Sequence, residues 1–188
     1  MSKLSPRDQM ILAAMSLFQR EGYAATSWRR LVQESGAPWG SAHYYFPQGK
    51  EQLGVAAIEW AARNVATLMA RCFPEGGSAA EGIHRLFAGS AAQLAKSRFS
   101  TGCPISTVAL ETVPHSAALS EACKKAFELW RQTLADGLVK CGVARTRADP
   151  LALTVLATFE GALIQARVAQ SKDPLHVSAA LIARLCAE

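Results

Sequence analysis

Apolar positions recur along this chain at the three- and four-residue spacing of helices, and no segment sustains the alternation of a strand. Ser5-Pro6-Arg7-Asp8 reads as a helix start, with Ser5 as the cap, Pro6 in the first turn and Asp8 where a capping carboxylate belongs. Ile11, Ala14, Met15 and Phe18 then form one apolar face, and Gly22 ends the helix. Thr26 or Ser27 caps a short second helix with Trp28, Leu31 and Val32 inward, and Gly36 stops it. Pro38 opens a third short helix through Tyr45, broken by Pro47-Gln48-Gly49.

A long helix follows from Gly49 to Cys72, and Pro74-Glu75-Gly76-Gly77-Ser78 is the clearest loop in the chain. Further helices are predicted over 79–97, 103–112, 116–141, 150–170 and 175–187. Asp149-Pro150 and Asp173-Pro174 each place a capping Asp before a first-turn Pro, and Gly142 stops the helix before it. The pattern therefore predicts an all-α protein: a three-helix head over 1–47 with a helix-turn-helix, and a larger helical body over 48–188.

Composition narrows the class. Half of the 188 residues are hydrophobic and 19% are charged, which marks a folded chain with a substantial core. No unbroken apolar run approaches the roughly 18 residues of a membrane span, and the first residues carry no apolar leader. A cytoplasmic protein without a membrane partner is expected. The net charge of +5 is compatible with nucleic acid but does not require it. Cys72, Cys103, Cys123, Cys141 and Cys186 show no C-x-x-C pair and no His at ligand spacing, so no metal, cofactor or disulfide framework is expected. The four histidines are dispersed, and no nucleophile–base pair, carboxylate pair or phosphate loop suggests an enzyme.

Glu21-Gly22-Tyr23, Thr26-Ser27, Gly36 and then Gly40-Ser41-Ala42-His43-Tyr44-Tyr45-Phe46-Pro47-Gln48-Gly49-Lys50-Glu51-Gln52-Leu53 resemble the DNA-binding signature of the tetracycline-repressor (TetR) family. In the body, Phe159-Glu160-Gly161-Ala162-Leu163-Ile164 is similar to the last helices of many members. Gly102-Cys103-Pro104-Ile105 with Ala109-Leu110-Glu111 is similar to a branch that includes multidrug-operon repressors. The resemblance implies a repressor that binds double-stranded operator DNA as a homodimer and releases it when a small-molecule inducer binds.

It also implies sites. Thr26 and Ser27 at a helix N-terminus offer hydroxyls and free N–H groups to a phosphate, and Lys50 is placed at a backbone contact. Trp39, Gly40, Ser41, His43 and Tyr44 take the positions facing the groove or its walls; Tyr45 fits a phosphate contact or the core equally. Arg29 and Arg30 add charge without sequence information, or are plain solvated charges. Trp28, Leu31, Phe18 and Phe46 read as core. Ala42 stands where members carry a bulky aliphatic, His43 where they carry Tyr, and Trp39 is unusual at the front of a recognition helix.

The apolar excess of 150–170 and 175–187 calls for more than one buried face, which the resemblance places in a four-helix dimer interface. Trp60, Asn64, Phe87, Phe99, Cys103, Val108, Glu111, Phe127, Trp130 and Phe159 are candidates by analogy to line a pocket for an aromatic or lipophilic ligand, although packing alone explains most of them. Two alternatives stay open: a thiol sensor of redox state or electrophiles using Cys103, near a helix N-terminus, and a helical interaction protein without DNA binding.

Overall fold

Ser5 starts the first helix as its sequence predicts. Its hydroxyl accepts the Asp8 N–H at 3.1 Å and donates to the Asp8 carboxylate at 2.7 Å, with Pro6 in the first turn. The computed structural model describes residues 4–187, and among these the regular structure is entirely helical. In chain order the helices are α1 (Pro6–Glu21), α2 (Trp28–Ser35), α3 (Trp39–Tyr45), α4 (Lys50–Arg71), α5 (Ala79–Lys96), α6 (Pro104–Thr112), α7 (Ala117–Lys140), α8 (Arg145–Ala169) and α9 (Asp173–Ala187).

Two compact units result. The first takes the chain through Arg63 together with Cys103–Ala126, and the second takes Asn64–Gly102 with Phe127 onward. The boundaries cut α4 and α7, and they group α6 with the three head helices rather than with the rest of the body.

In the first unit α1 packs against α2, α3 and α6. Its buried face is Met10, Ile11, Ala14, Leu17 and Phe18, with Met15 only half-buried. Gly36 ends α2 in a left-handed conformation (φ 66°) that a side chain rarely adopts, and this makes the sharp turn into α3.

In the second unit α5 and α8 flank α9, and α5 meets α8. Phe73 is a buried anchor there: a Cβ added at Gly82 of α5 or at Gly137 of α7 would strike its ring. Helix α8 differs from expectation at its start. It begins at Arg145, and Pro150 lies inside it. Asp149 is an ion-pair partner of Arg145 at 3.6 Å rather than a cap, and Arg145 also reaches Asp136 at 2.7 Å. By length and mean hydropathy α8 is also apolar enough to cross a membrane, although Thr154, Thr158, Glu160 and Gln165 interrupt its apolar residues. Only 33% of that apolar window is buried within the protomer.

Candidate nucleic-acid interface

Helix α3 has two faces. Ala42 and Phe46, one turn apart, are buried in the first unit, while Trp39, Gly40, His43 and Tyr44 are exposed on the opposite side. Trp39 is 50% exposed and Tyr44 78%, unusual for aromatic rings in a folded protein and a sign that this face meets something else. Ser41 and Tyr45 sit at the borders, half-buried, and the Tyr45 ring meets Tyr44 edge-on at 5.0 Å. The fit of a small residue at position 42 is explained by its complete burial. Trp28, expected in the core, is half-buried with its ring 6.3 Å from that of His43.

The start of α2 separates two adjacent hydroxyls. Ser27 is exposed and caps the helix by accepting the Arg30 N–H at 3.2 Å. Thr26 is fully buried and donates its hydroxyl to the Gly22 carbonyl at 2.7 Å, so the expected phosphate contact through that hydroxyl gives way to a role inside the turn. The two arginines also differ. Arg30 is held by Glu21 at 3.2 Å and Glu34 at 3.7 Å, whereas Arg29 is exposed and makes no ion pair among the described residues. Of the two arginines, Arg29 is therefore the one whose charge no carboxylate offsets among the described residues.

Lys50 lies at the start of α4 with its ammonium 4.1 Å from the centre of the Tyr23 ring, a cation–π contact. Partial burial pulls its pKa down, and the Glu111 carboxylate opposes that shift. The Tyr23 phenol is pushed up by burial and then by the charge of Glu51. Glu51 in turn accepts the Ser116 hydroxyl at 2.6 Å.

The residues expected around a ligand fall into both units. Trp60, Cys103, Val108 and Glu111 belong to the first; Asn64, Phe87, Phe99, Phe127, Trp130 and Phe159 belong to the second. Within the second unit Phe87 and Phe159 pack edge-to-face at 5.2 Å, and Phe127 and Trp130 at 5.8 Å. Asn64 is exposed, and Phe99 is half-buried with a left-handed backbone. A cavity of about 460 Å³ in this unit, lined by Ser78, Cys141, Arg147 and Cys186 among others, includes none of the expected residues. Cys103 is buried and caps α6, its sulfur accepting the Ser106 N–H at 3.5 Å. Glu111 faces the head: its carboxylate accepts the Ala24 N–H. Sequence reasoning missed this role because the two residues are 87 positions apart.

Three short helices packed so that the last bares one face define a helix-turn-helix protein of the kind that reads duplex DNA. Residues 11–57 match the bacterial regulatory proteins of the tetR family, and residues 79–181 match the C-terminal domain described as transcriptional regulator LmrA/YxaF-like. The chain belongs to the TetR family of transcriptional regulators. It is 32% identical to the HTH-type transcriptional regulator LmrA of Bacillus subtilis, over 96% of this chain and 97% of that protein. It is 31% identical to YxaF of the same organism, over 93% and 91%. A TetR transcriptional regulator from Legionella pneumophila superposes with a TM-score of 0.85 at 25% identity, covering 98% of this chain and 99% of that one. Ligand-responsive repression is the typical function of the family.

Proposed function

We propose that this protein is a cytoplasmic repressor that binds operator DNA as a homodimer and lets go when a small aromatic or lipophilic molecule binds its body. Residues 1–47 are the DNA-binding domain and 48–188 the ligand-binding and dimerisation domain. Its work is binding, and no reaction is assigned to it. The observation that carries the reading is the exposed face of α3. Trp39, Gly40, Ser41, His43 and Tyr44 would enter or flank the major groove, while Ser27, Arg29, Tyr45 and Lys50 would meet the backbone.

Dimerisation is assigned to α8 and α9. Leu153, Ile164 and Val168 lie along one stripe of α8, and Val177, Leu181 and Leu185 recur every four residues on α9; all are at least 43% exposed. A second copy would cover both stripes and set two recognition helices about 34–36 Å apart, one turn of DNA. An inducer acts by favouring the conformation in which that spacing is lost, and operator DNA then weakens inducer binding by the same factor. The aromatic pairs Phe87–Phe159 and Phe127–Trp130 are the part of the expected ligand set that already forms clusters. Cys103, buried at a helix cap, has the setting of a structural cysteine, which favours reversible ligand binding over a thiol sensor.

Tyr44→Ala and Lys50→Ala test the interface. Both should keep the fold and the dimer while weakening binding to DNA upstream of the protein's own gene. Lys50→Ala should also flatten the dependence of log affinity on log salt by about 0.9, one phosphate contact. Fluorescence anisotropy over a salt series reads both effects, and undiminished affinity in the two variants would remove these residues from the interface.

A further inference from the structure

Helix α6 belongs to the body by sequence, yet it sends one carboxylate into the DNA-reading head. Glu111, in the last turn of α6, accepts the backbone N–H of Ala24 in the turn between α1 and α2. Ionised acceptors make the stronger class of hydrogen bond. The neighbouring position is built to admit it. Gly22 takes φ 87°, and a Cβ there would collide with the Glu111 carboxylate.

The same carboxylate acts on Lys50, which rests on the ring of Tyr23, the residue between Gly22 and Ala24. A second tie runs the other way, from Ser116 just beyond α6 to Glu51 on α4. All of these groups lie in one compact unit. The turn they hold leads directly to Thr26, which closes it from inside, and to Ser27, which caps α2.

We propose that Glu111 is a positioning residue for DNA binding: its carboxylate pins the α1–α2 turn and thereby sets the start of α2 and the seat of Lys50 against the DNA backbone. The inference rests on the DNA-binding reading above. A carboxylate is otherwise an odd neighbour for a phosphate-binding lysine, because its own charge repels DNA. Charge alone and positioning therefore predict opposite signs. Were Glu111 only a negative charge near the duplex, removing it in any form would tighten binding. As a pin, its loss loosens the turn and weakens binding, and a side chain that keeps an acceptor oxygen restores much of it.

The test compares E111A and E111Q with wild type, using a duplex enriched by wild-type protein from a random-sequence pool. Circular dichroism and light scattering confirm that the variants remain folded and of wild-type oligomeric state. In E111A the Ala24 amide should exchange with solvent about threefold to tenfold faster, while amides in the middle of α1 keep their rates. Duplex affinity should fall by a similar factor, and E111Q should recover most of both losses. Unchanged exchange at Ala24 in E111A, or duplex binding by E111A equal to or tighter than wild type, would overturn the proposal. Failure of wild type to enrich any duplex would overturn the DNA-binding reading and this role with it. Binding by wild type that E111A retains would sink this inference alone.

Discussion

Arginine in place of Leu181, or of Val168, should yield a folded monomer that no longer holds operator DNA. Both side chains stand on exposed stripes, Leu181 at 57% and Val168 at 81%, so neither substitution disturbs packing inside the protomer. In the proposed dimer the guanidinium would be buried without a partner, which costs about 3–5 kcal/mol. Twofold symmetry introduces the charge twice, so the dimer dissociation constant should rise by about a thousandfold or more. Analytical ultracentrifugation reads the change directly, and a persistent dimer would move the interface off α8 and α9. Phe159 is no tool for this purpose. It is 7% exposed and packs edge-to-face on Phe87 within its own unit, so Phe159→Arg would attack the core instead.

The second large effect concerns stability. Phe73 is 1% exposed, and its ring occupies the space left by the missing side chains of Gly82 and Gly137. Phe73→Ala should cost about 3–5 kcal/mol, from lost burial and from the cavity left behind. For a chain of this size that is a fall in melting temperature of about 2–4 °C per kcal/mol. Gly82→Ala should be destabilising too, because its new methyl meets the buried ring and crowds the Cys72 carbonyl at 3.1 Å. Combining Gly82→Ala with Phe73→Leu should cost less than the sum of the single changes, since the smaller side chain makes room for the methyl. Calorimetry of the four proteins forms the cycle, and strictly additive losses would show that the ring and the side chain at position 82 do not compete for that space.

Much of this architecture was legible because local chemistry and global packing agree. The Ser5 cap, the Gly36 turn and the loop from Pro74 to Ser78 are each where a short window of sequence puts them. The failures occur where a residue type has two uses. Asp149 before Pro150 has the form of a helix start, but Arg145 claims the carboxylate and the helix begins earlier. Thr26 and Ser27 are both capping residues, and only the carbonyl of Gly22, left by the end of α1, decides which of them turns inward. The spacing in α1 predicts Ile11, Ala14, Met15 and Phe18 as its apolar face, whereas Met15 is half-buried and Met10 and Leu17 complete the core side. Glu111 is a ligand candidate by analogy, and its bond to the head is not legible in the sequence. Its partner amide lies far away in sequence, and no periodicity records a bond between them. The candidate DNA face was the most legible part, since the family motif spans it, but which of its side chains are exposed is a matter of tertiary packing.

The division of α3 into an anchored face and a bare one has a consequence for how such a protein changes over time. Ala42 and Phe46 are buried in the core, while a Cβ added at Gly40 would meet nothing within 4 Å beyond its own stretch of helix. Gly40 is also a poor helix former, and alanine there should favour the helix by about 0.5–1 kcal/mol. Positions 39, 40, 43 and 44 lie on the exposed face, so in the proposed interface selection on them would come more from the DNA than from folding. A duplicated copy of this gene would be free to drift toward a new operator through these four positions while keeping its core, and a combinatorial library confined to them would sample new recognition sequences among folded proteins.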